Sequence, residues 1–106
     1  NLYYLDISID DQYRIKTDEM YSGINYSIVS PDSYNDGNWH KVDFYVDTHM
    51  YIQSLYIDDI LIGENSYGDT YYSNDTNPLR FGARRSGGII NSFFKGSLDD
   101  ILFFKH

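Results

Sequence analysis

The chain has 106 residues, a net charge of −8 and no cysteine. This length predicts a single domain. An acidic chain repels phosphate backbones, which argues against nucleic acid as a partner. Without cysteine there are neither disulfides nor cysteine-based zinc sites. No apolar run is long enough to span a bilayer, so membrane insertion is not expected.

The first third of the chain predicts three strands. Residues 2–9 alternate, and Tyr3, Leu5, Ile7 and Ile9 share one face. A turn at residues 10–12 leads to a second strand at residues 13–17, which is expected to form a hairpin with the first. The polar residues 18–24 are expected to form a loop. A short strand follows at residues 25–30, with Tyr26 and Ile28 inward, and Pro31 is expected to end it.

The middle of the chain opens with Asp36-Gly37, a strong turn signal. The next strand is expected to place Val42, Phe44 and Val46 on a buried face. Residues 54–62 predict two short strands around Asp58-Asp59. A two-residue type I′ turn there needs positive φ at both positions, which costs roughly 1 kcal/mol at Asp59. A wider turn is the alternative.

The last third is less regular. Residues 63–78 read as a long loop, residues 79–83 as a strand and residues 84–88 as a basic loop. Residues 89–90 and 93–94 form a short strand or a packed loop, and residues 101–104 a strand that is apolar on both faces. Since no window has helical periodicity with caps, the pattern predicts an all-β sandwich.

Four blocks occur in one order: Gly37-x-Trp39-His40, Leu55-Tyr56-Ile57-Asp58, Leu79-x-Phe81-Gly82, and Phe94-x-Gly96-x-Leu98-Asp99-Asp100-Ile101. Together they resemble the laminin G-like group of the concanavalin A-like lectin/glucanase superfamily. The resemblance implies an antiparallel, jelly-roll-like sandwich over residues 1–106. Complete domains of the group are longer, with strands before this starting point. We therefore expect that N-terminal strands are lacking, or that another chain or segment completes the sandwich.

Catalysis is not expected. Glucanases of the superfamily use a Glu-x-Asp-x-Glu strand, because retaining hydrolysis needs two carboxyl groups about 5 Å apart. The only glutamates here, Glu19 and Glu64, lie in no such pattern. The Asp pairs at 10–11, 58–59 and 99–100 point to opposite faces and read as turn and cap residues.

Two residues of the Trp-His block read as structural. His40 is expected at the core or the rim, with a backbone group satisfying its ring. Trp39 is expected to pack at the start of the strand, with stacking on a sugar as the alternative.

The predicted ligand contacts lie in two loops. One carries Tyr67, Tyr71, Tyr72 and Asn74. The tyrosine rings could stack on the C–H faces of pyranose rings, and the asparagine amide could hydrogen-bond to sugar hydroxyl groups. The other carries Arg84 and Arg85, which could clamp an acidic sugar or a carboxylate. Calcium, held by oxygens of Asp69 and Asp75, is the one candidate cofactor, and the region near Asp47 offers similar chemistry. Ordinary surface polarity is the alternative for each set.

These features predict a non-catalytic recognition module of a secreted or cell-surface protein. It would bind carbohydrate through rim loops, with calcium assisting. The alternative is a protein–protein adhesion or assembly module that uses a sheet edge or an apolar face. A third interpretation is a non-catalytic fragment of a glycoside hydrolase. The expected partners are thus carbohydrate or another extracellular protein.

Overall fold

A computed structural model of the protein describes residues 4–68, 84–86, 89–91, 97–99 and 101. They fall into two units, Asn1–Asp75 and Thr76–His106. The first unit contains strands β1 (Tyr4–Ile9), β2 (Arg14–Tyr21), β3 (Ile24–Ser33), β4 (Val42–Asp47), β5 (Ile52–Ile57) and β6 (Ile60–Ser66). The second contains β7 (Arg84–Ser86) and β8 (Ile89–Asn91).

The first unit is built from two antiparallel meanders. The first sheet has the order β1-β2-β3 and the second has the order β4-β5-β6. Consecutive strands pair because short turns join them, as the alternating segments predicted. The predicted hairpin between the first two strands is confirmed, with Ile7 opposite Thr17.

One apolar cluster joins the two sheets. Ile15 and Ile28 come from the first sheet and Leu55 and Ile57 from the second, and all four are buried. The sheets approach closely at Gly63 of β6, where an added Cβ would lie 2.9 Å from Cγ2 of Ile28. A side chain at that position would therefore force the two layers apart.

The predicted loop at residues 18–24 is wrong. Strand β2 continues to Tyr21 and β3 starts at Ile24, with a two-residue turn at Ser22 and Gly23 in which both φ angles are positive. The inner positions of β2 include polar side chains, which hid the strand from a hydrophobicity pattern. Tyr26 and Ile28 face inward as predicted. Strand β3 continues past Pro31 because it is an edge strand of the described sheet, where one missing N–H is tolerated.

The predicted inner face of β4 is confirmed in direction but not in burial, since Phe44 and Val46 are partly buried and Val42 is 37% exposed. Val42, Phe44 and Val46 lie opposite Ile57, Leu55 and Gln53 of β5, all three of which are buried. Residues directly opposite each other share a face, so β4 contributes to the inner layer. Val42 is half-exposed because β4 lies at the edge of its sheet.

The β5–β6 turn takes the tight form. Ile57 pairs with Ile60, and Asp58 and Asp59 between them have φ of 52° and 67°. This is the two-residue geometry in which glycine is favoured at the second position. Strand β6 runs to Ser66, so residues 63–66 belong to a strand and not to the predicted loop.

Replacing Asp59 by glycine is expected to raise the free energy of unfolding by about 1 kcal/mol, because glycine adopts positive φ without strain. The lost Asp59–Lys41 ion pair is well exposed, so its removal offsets little of this gain. Urea unfolding monitored by circular dichroism measures the difference, with Asp11→Gly as the control for added chain entropy. A loss of stability in the Asp59 variant would contradict the strained turn.

In the second unit, β7 pairs antiparallel with β8. Arg84 and Arg85 therefore lie on a strand, which corrects the predicted loop over residues 84–86. Of the two alternatives for residues 89–90, a short strand or a packed loop, the structure has the strand. The predicted segments 79–83, 93–94 and 102–104 lie outside the described residues. Every regular element among the described residues is a β-strand, which confirms the all-β fold class. None of these residues forms a helix long and apolar enough to cross a membrane.

Candidate functional site

The most exposed large aromatic side chain of the described residues lies in the connection between β3 and β4. This connection, residues 34–41, is called the Trp39 loop below. The Trp39 side chain is 70% exposed, so the expectation that it packs at the start of a strand is wrong. The physical reason is position: β4 begins only at Val42, and Trp39 precedes the ladder that would have placed it against the core.

The local fold of the Trp39 loop comes from Asp36-Gly37, as the turn signal predicted. The Asp36 carboxylate accepts a hydrogen bond from the backbone N–H of Asn38 at 3.0 Å. Gly37 has a φ of 80°, a left-handed conformation that glycine adopts without steric cost. The chain therefore bends just before Trp39 and carries the indole outward.

His40 bridges two carboxylates. Its Nδ1 lies 2.7 Å from Oδ2 of Asp58, and its Nε2 lies 2.8 Å from Oδ1 of Asp36. The prediction that a backbone group satisfies the ring is therefore wrong. Asp36 belongs to the Trp39 loop, whereas Asp58 belongs to the β5–β6 turn. The imidazole thus ties the loop to the second sheet.

Other contacts fix the base of the loop. The Lys41 N–H donates to the Asp58 carboxylate at 2.9 Å, and the Asp58 N–H donates to the Lys41 carbonyl at 2.8 Å. The Tyr34 ring stands edge-on to His40, with ring centres 4.9 Å apart, and it packs against the apolar cluster. The His40 end of the loop is therefore anchored while Trp39 projects.

The ionisation of the bridge follows from these contacts. The hydrogen bonds that the His40 ring donates to Asp58 and, with a smaller effect, to Asp36 raise the pKa of His40 above its ordinary value of 6.5. The same bonds with His40 are the main cause that lowers the pKa of both Asp36 and Asp58. Burial is the main cause that raises the pKa of Tyr34. The contacts thus favour the charged forms of all three groups, two carboxylates and an imidazolium.

The chemistry around Trp39 combines an apolar ring face with hydrogen-bond acceptors. Asp36 and Asp58 are each partly exposed, and Asp59 more so, with Lys41 paired to Asp59 at 2.8 Å. Such a surface can stack a ring on the indole and accept hydrogen bonds from hydroxyl groups. Nothing in the sequence pattern distinguished this loop except the neighbouring Asp-Gly and Trp-His pairs.

The structure corrects the placement of Tyr67, which was predicted to contact ligand from a loop. Its side chain is only 8% exposed. Its hydroxyl donates to Oε1 of Glu19, and Nε2 of Gln53 donates to the same oxygen at 2.7 Å. The Tyr67 ring stands edge-on to Tyr21 and Tyr26. Tyr67 is therefore part of the buried interior.

Of the remaining predicted contacts, five lie outside the described residues and two lie in the second unit. Tyr71, Tyr72, Asn74, Asp69 and Asp75 lie outside the described residues. Arg84 and Arg85 lie on β7 of the second unit.

Asp47, near which calcium chemistry was suggested, stabilises the turn after β4. The Asp47 carboxylate accepts the backbone N–H groups of Met50 and His49, and these bonds lower its pKa. Within the described ranges, no three His, Asp or Glu side chains are grouped as metal ligands would be.

The two glutamates of the chain lie on different sides of the packed sheets, one on an inner face and one on an outer face. Glu19 is fully buried on the inner face. Glu64 lies opposite Ser54 on the outer face of the second sheet, and Ser54 donates to it at 3.3 Å. Carboxyl groups on opposite faces cannot act on one glycosidic bond as an acid and a nucleophile.

A laminin G-like family model, described as the concanavalin A-like lectin/glucanases superfamily, matches residues 1–106. The chain belongs to this superfamily. Membership agrees with two packed antiparallel sheets and confirms the resemblance carried by the four sequence blocks. It supports a carbohydrate- or protein-binding module in general. No curated protein and no solved structure gives a significant match.

Proposed function

We propose that the protein is a non-catalytic recognition module of a secreted or cell-surface protein, and that it binds carbohydrate through the Trp39 loop. The observation that carries this proposal is the 70% exposure of Trp39 on a loop whose other side is anchored to the core. The exposed indole presents a large apolar face with a polar N–H, which suits contact with a ligand that has both apolar and polar groups.

Stacking supplies the attraction. One face of an indole matches the C–H face of a pyranose ring, and contact removes apolar surface from water. The carboxylate oxygens of Asp36 and Asp58, although bonded to His40, are partly exposed and have lone pairs left for sugar hydroxyl groups. Surfaces that bind small ligands usually combine apolar or aromatic side chains with a few polar groups that orient the ligand.

The charge around the loop favours a neutral glycan. The three carboxylates paired at the base of the loop, Asp36, Asp58 and Asp59, outnumber their cationic partners His40 and Lys41, and the whole chain carries a net charge of −8. This field opposes uronic acids, sialic acids and sulfated sugars. The predicted clamp of Arg84 and Arg85 on an acidic sugar or a carboxylate belongs to the second unit and stays a separate prediction.

The proposal also includes contacts from residues that lie outside the described part of the chain. Tyr71, Tyr72 and Asn74 would extend the ligand surface, and Asp69 and Asp75 would hold calcium. The non-catalytic assignment rests on Glu19 and Glu64, which the sheets place on opposite faces.

Trp39→Ala is expected to weaken the binding of a neutral oligosaccharide about thirtyfold. A stacked indole face removes about 80 Å² of apolar surface from water, which corresponds to about 2 kcal/mol. Trp39→Phe keeps a smaller ring and should retain most of the affinity. A glycan array identifies binders, and calorimetry with cellopentaose, maltopentaose and chitopentaose then measures dissociation constants.

Tyr45→Ala is the matched control, because Tyr45 is also an exposed aromatic residue but lies on the outer face of β4. It should leave affinity unchanged. Equal affinity of Trp39→Ala and the unmodified protein would reject Trp39 as the contact. Failure to bind any glycan on the array would reject carbohydrate as the ligand.

A second candidate function is protein assembly through β1. Leu5, Ile7 and Ile9 lie on the inner face, opposite Glu19, Thr17 and Ile15, yet each is at least 40% exposed. An apolar row on an edge strand is a common site of chain association. Concentration-dependent association in sedimentation together with a blank glycan array would favour this function over carbohydrate binding.

A further inference from the structure

The bridge between Asp36, His40 and Asp58 depends on the protonation of one ring. Carboxylates only accept hydrogen bonds, and a neutral imidazole has a single N–H to donate. Both bonds, at 2.7 Å and 2.8 Å, can therefore form together only when His40 is an imidazolium. Deprotonation leaves a nitrogen lone pair facing a carboxylate, which breaks one of the two links.

Each link holds a different part of the Trp39 loop. The bond to Asp36 closes a short ring of chain around Gly37, Asn38 and Trp39. The bond to Asp58 holds this ring on the β5–β6 turn. Losing either bond frees the segment that carries the indole, although Lys41 stays anchored to Asp58 by its backbone N–H.

We propose that His40 is the positioning residue for Trp39: as an imidazolium it fixes the loop in its binding conformation, and glycan affinity therefore falls as His40 deprotonates. Only the effect on glycan affinity rests on the proposed function; the effect of His40 on the position of Trp39 does not. His40 itself need not touch the sugar, since it acts through the placement of Trp39.

Several charged or titratable groups surround His40. They come from its own loop, from the β5–β6 turn and from the neighbouring β4: Tyr34, Asp36, Lys41, Asp43, Asp58 and Asp59. Lys41 is paired with Asp59 and Asp43, and these pairs raise its pKa, so it stays charged across the range in which His40 titrates. The two carboxylates that touch the ring are the groups that decide its ionisation.

The direction of the pH dependence follows from the pKa shifts. The pKa of His40 is raised above 6.5, so the bridge is complete below that pH and is lost as pH rises through the folded-state pKa. The pKa values of Asp36 and Asp58 are lowered from 3.8, so the acid limit lies below that value. Affinity should be highest between these limits, in weakly acidic solution.

Trp39 is the only tryptophan, so its fluorescence reports this loop without any ligand. We expect the indole anisotropy to fall in one step between about pH 5 and about pH 9, with a midpoint above the ordinary histidine value. His40→Gln should show low anisotropy throughout and no step. His49→Gln, which changes a histidine outside the bridge, should keep the step. Asp36→Asn should move the midpoint down.

The ligand arm repeats the pentasaccharide titrations across the same pH range. Affinity should fall about fivefold or more through the step, and the fall should vanish in His40→Gln. A flat anisotropy profile in the unmodified protein, or affinity independent of pH, would overturn the positioning role even if glycans bind. A clear anisotropy step with no glycan binding would instead support the positioning role and reject the proposed function.

Discussion

Glu19→Ala is expected to lower the free energy of unfolding by about 3 kcal/mol. The Glu19 side chain is fully buried, and one of its oxygens accepts hydrogen bonds from both Tyr67 and Gln53. Its removal leaves two buried donors without that acceptor and opens a cavity between the sheets. The loss would be a large fraction of the stability of a domain of this size. Urea unfolding followed by circular dichroism measures it.

The second glutamate provides the control. Glu64→Ala removes an exposed carboxylate on the outer face and should change stability by less than about 0.5 kcal/mol. Glu19→Gln keeps an acceptor oxygen and should lose only about 1 kcal/mol. Equal losses in the two alanine variants would contradict the inward direction of Glu19.

Leu55→Ala is also expected to lower the free energy of unfolding by about 3 kcal/mol, here through the loss of apolar packing. Leu55 has no exposed surface, lies on the central strand of the second sheet and packs in the cluster with Ile15 and Ile28. Truncation loses buried methyl groups and leaves a cavity that the two sheets fill only in part. Leu55→Met conserves volume and should cost less than about 1.5 kcal/mol.

Leu61→Ala is the matched substitution on the other face. Leu61 lies opposite Tyr56 on the outer side of the same sheet and is 45% exposed. Its truncation should cost less than about 1 kcal/mol. If both leucine variants unfolded at the same urea concentration, Leu55 would not lie between two packed layers.

The alternation of β4 and β5 made the second sheet predictable. Val42, Phe44 and Val46 repeat at period two, and their inward face is the one that the sheet register confirms. The Asp58-Asp59 hairpin was placed correctly, but the sequence left its width open. Pairing of Ile57 with Ile60 selects the tight turn over the wider alternative.

Strand β2 shows why the first sheet was harder to predict. Thr17 and Glu19 occupy inner positions, where a hydrophobic pattern expects apolar residues. Glu19 is tolerated there because Gln53 and Tyr67 donate to it, and both are distant in sequence. A buried polar cluster of this kind depends on tertiary contacts, which local patterns do not contain.

The candidate site was partly visible in the sequence. Asp36 and His40 are four residues apart in one loop, and that spacing could have suggested their contact. Asp58 is brought to His40 only by the register of β4 with β5, which places Lys41 beside the β5–β6 turn. The exposure of Trp39 depends on where β4 begins, and strand ends are poorly determined by local pattern.

The central claim is that a neutral glycan stacks on Trp39. The most direct measurement is a nuclear magnetic resonance titration of the single indole N–H signal with the pentasaccharide that binds most tightly, in weakly acidic buffer. We predict that this signal shifts progressively and saturates at the calorimetric dissociation constant, while the amide signals of the outer-face residues Tyr45 and Leu61 stay in place. A bound glycan that leaves the indole signal unmoved would contradict the account.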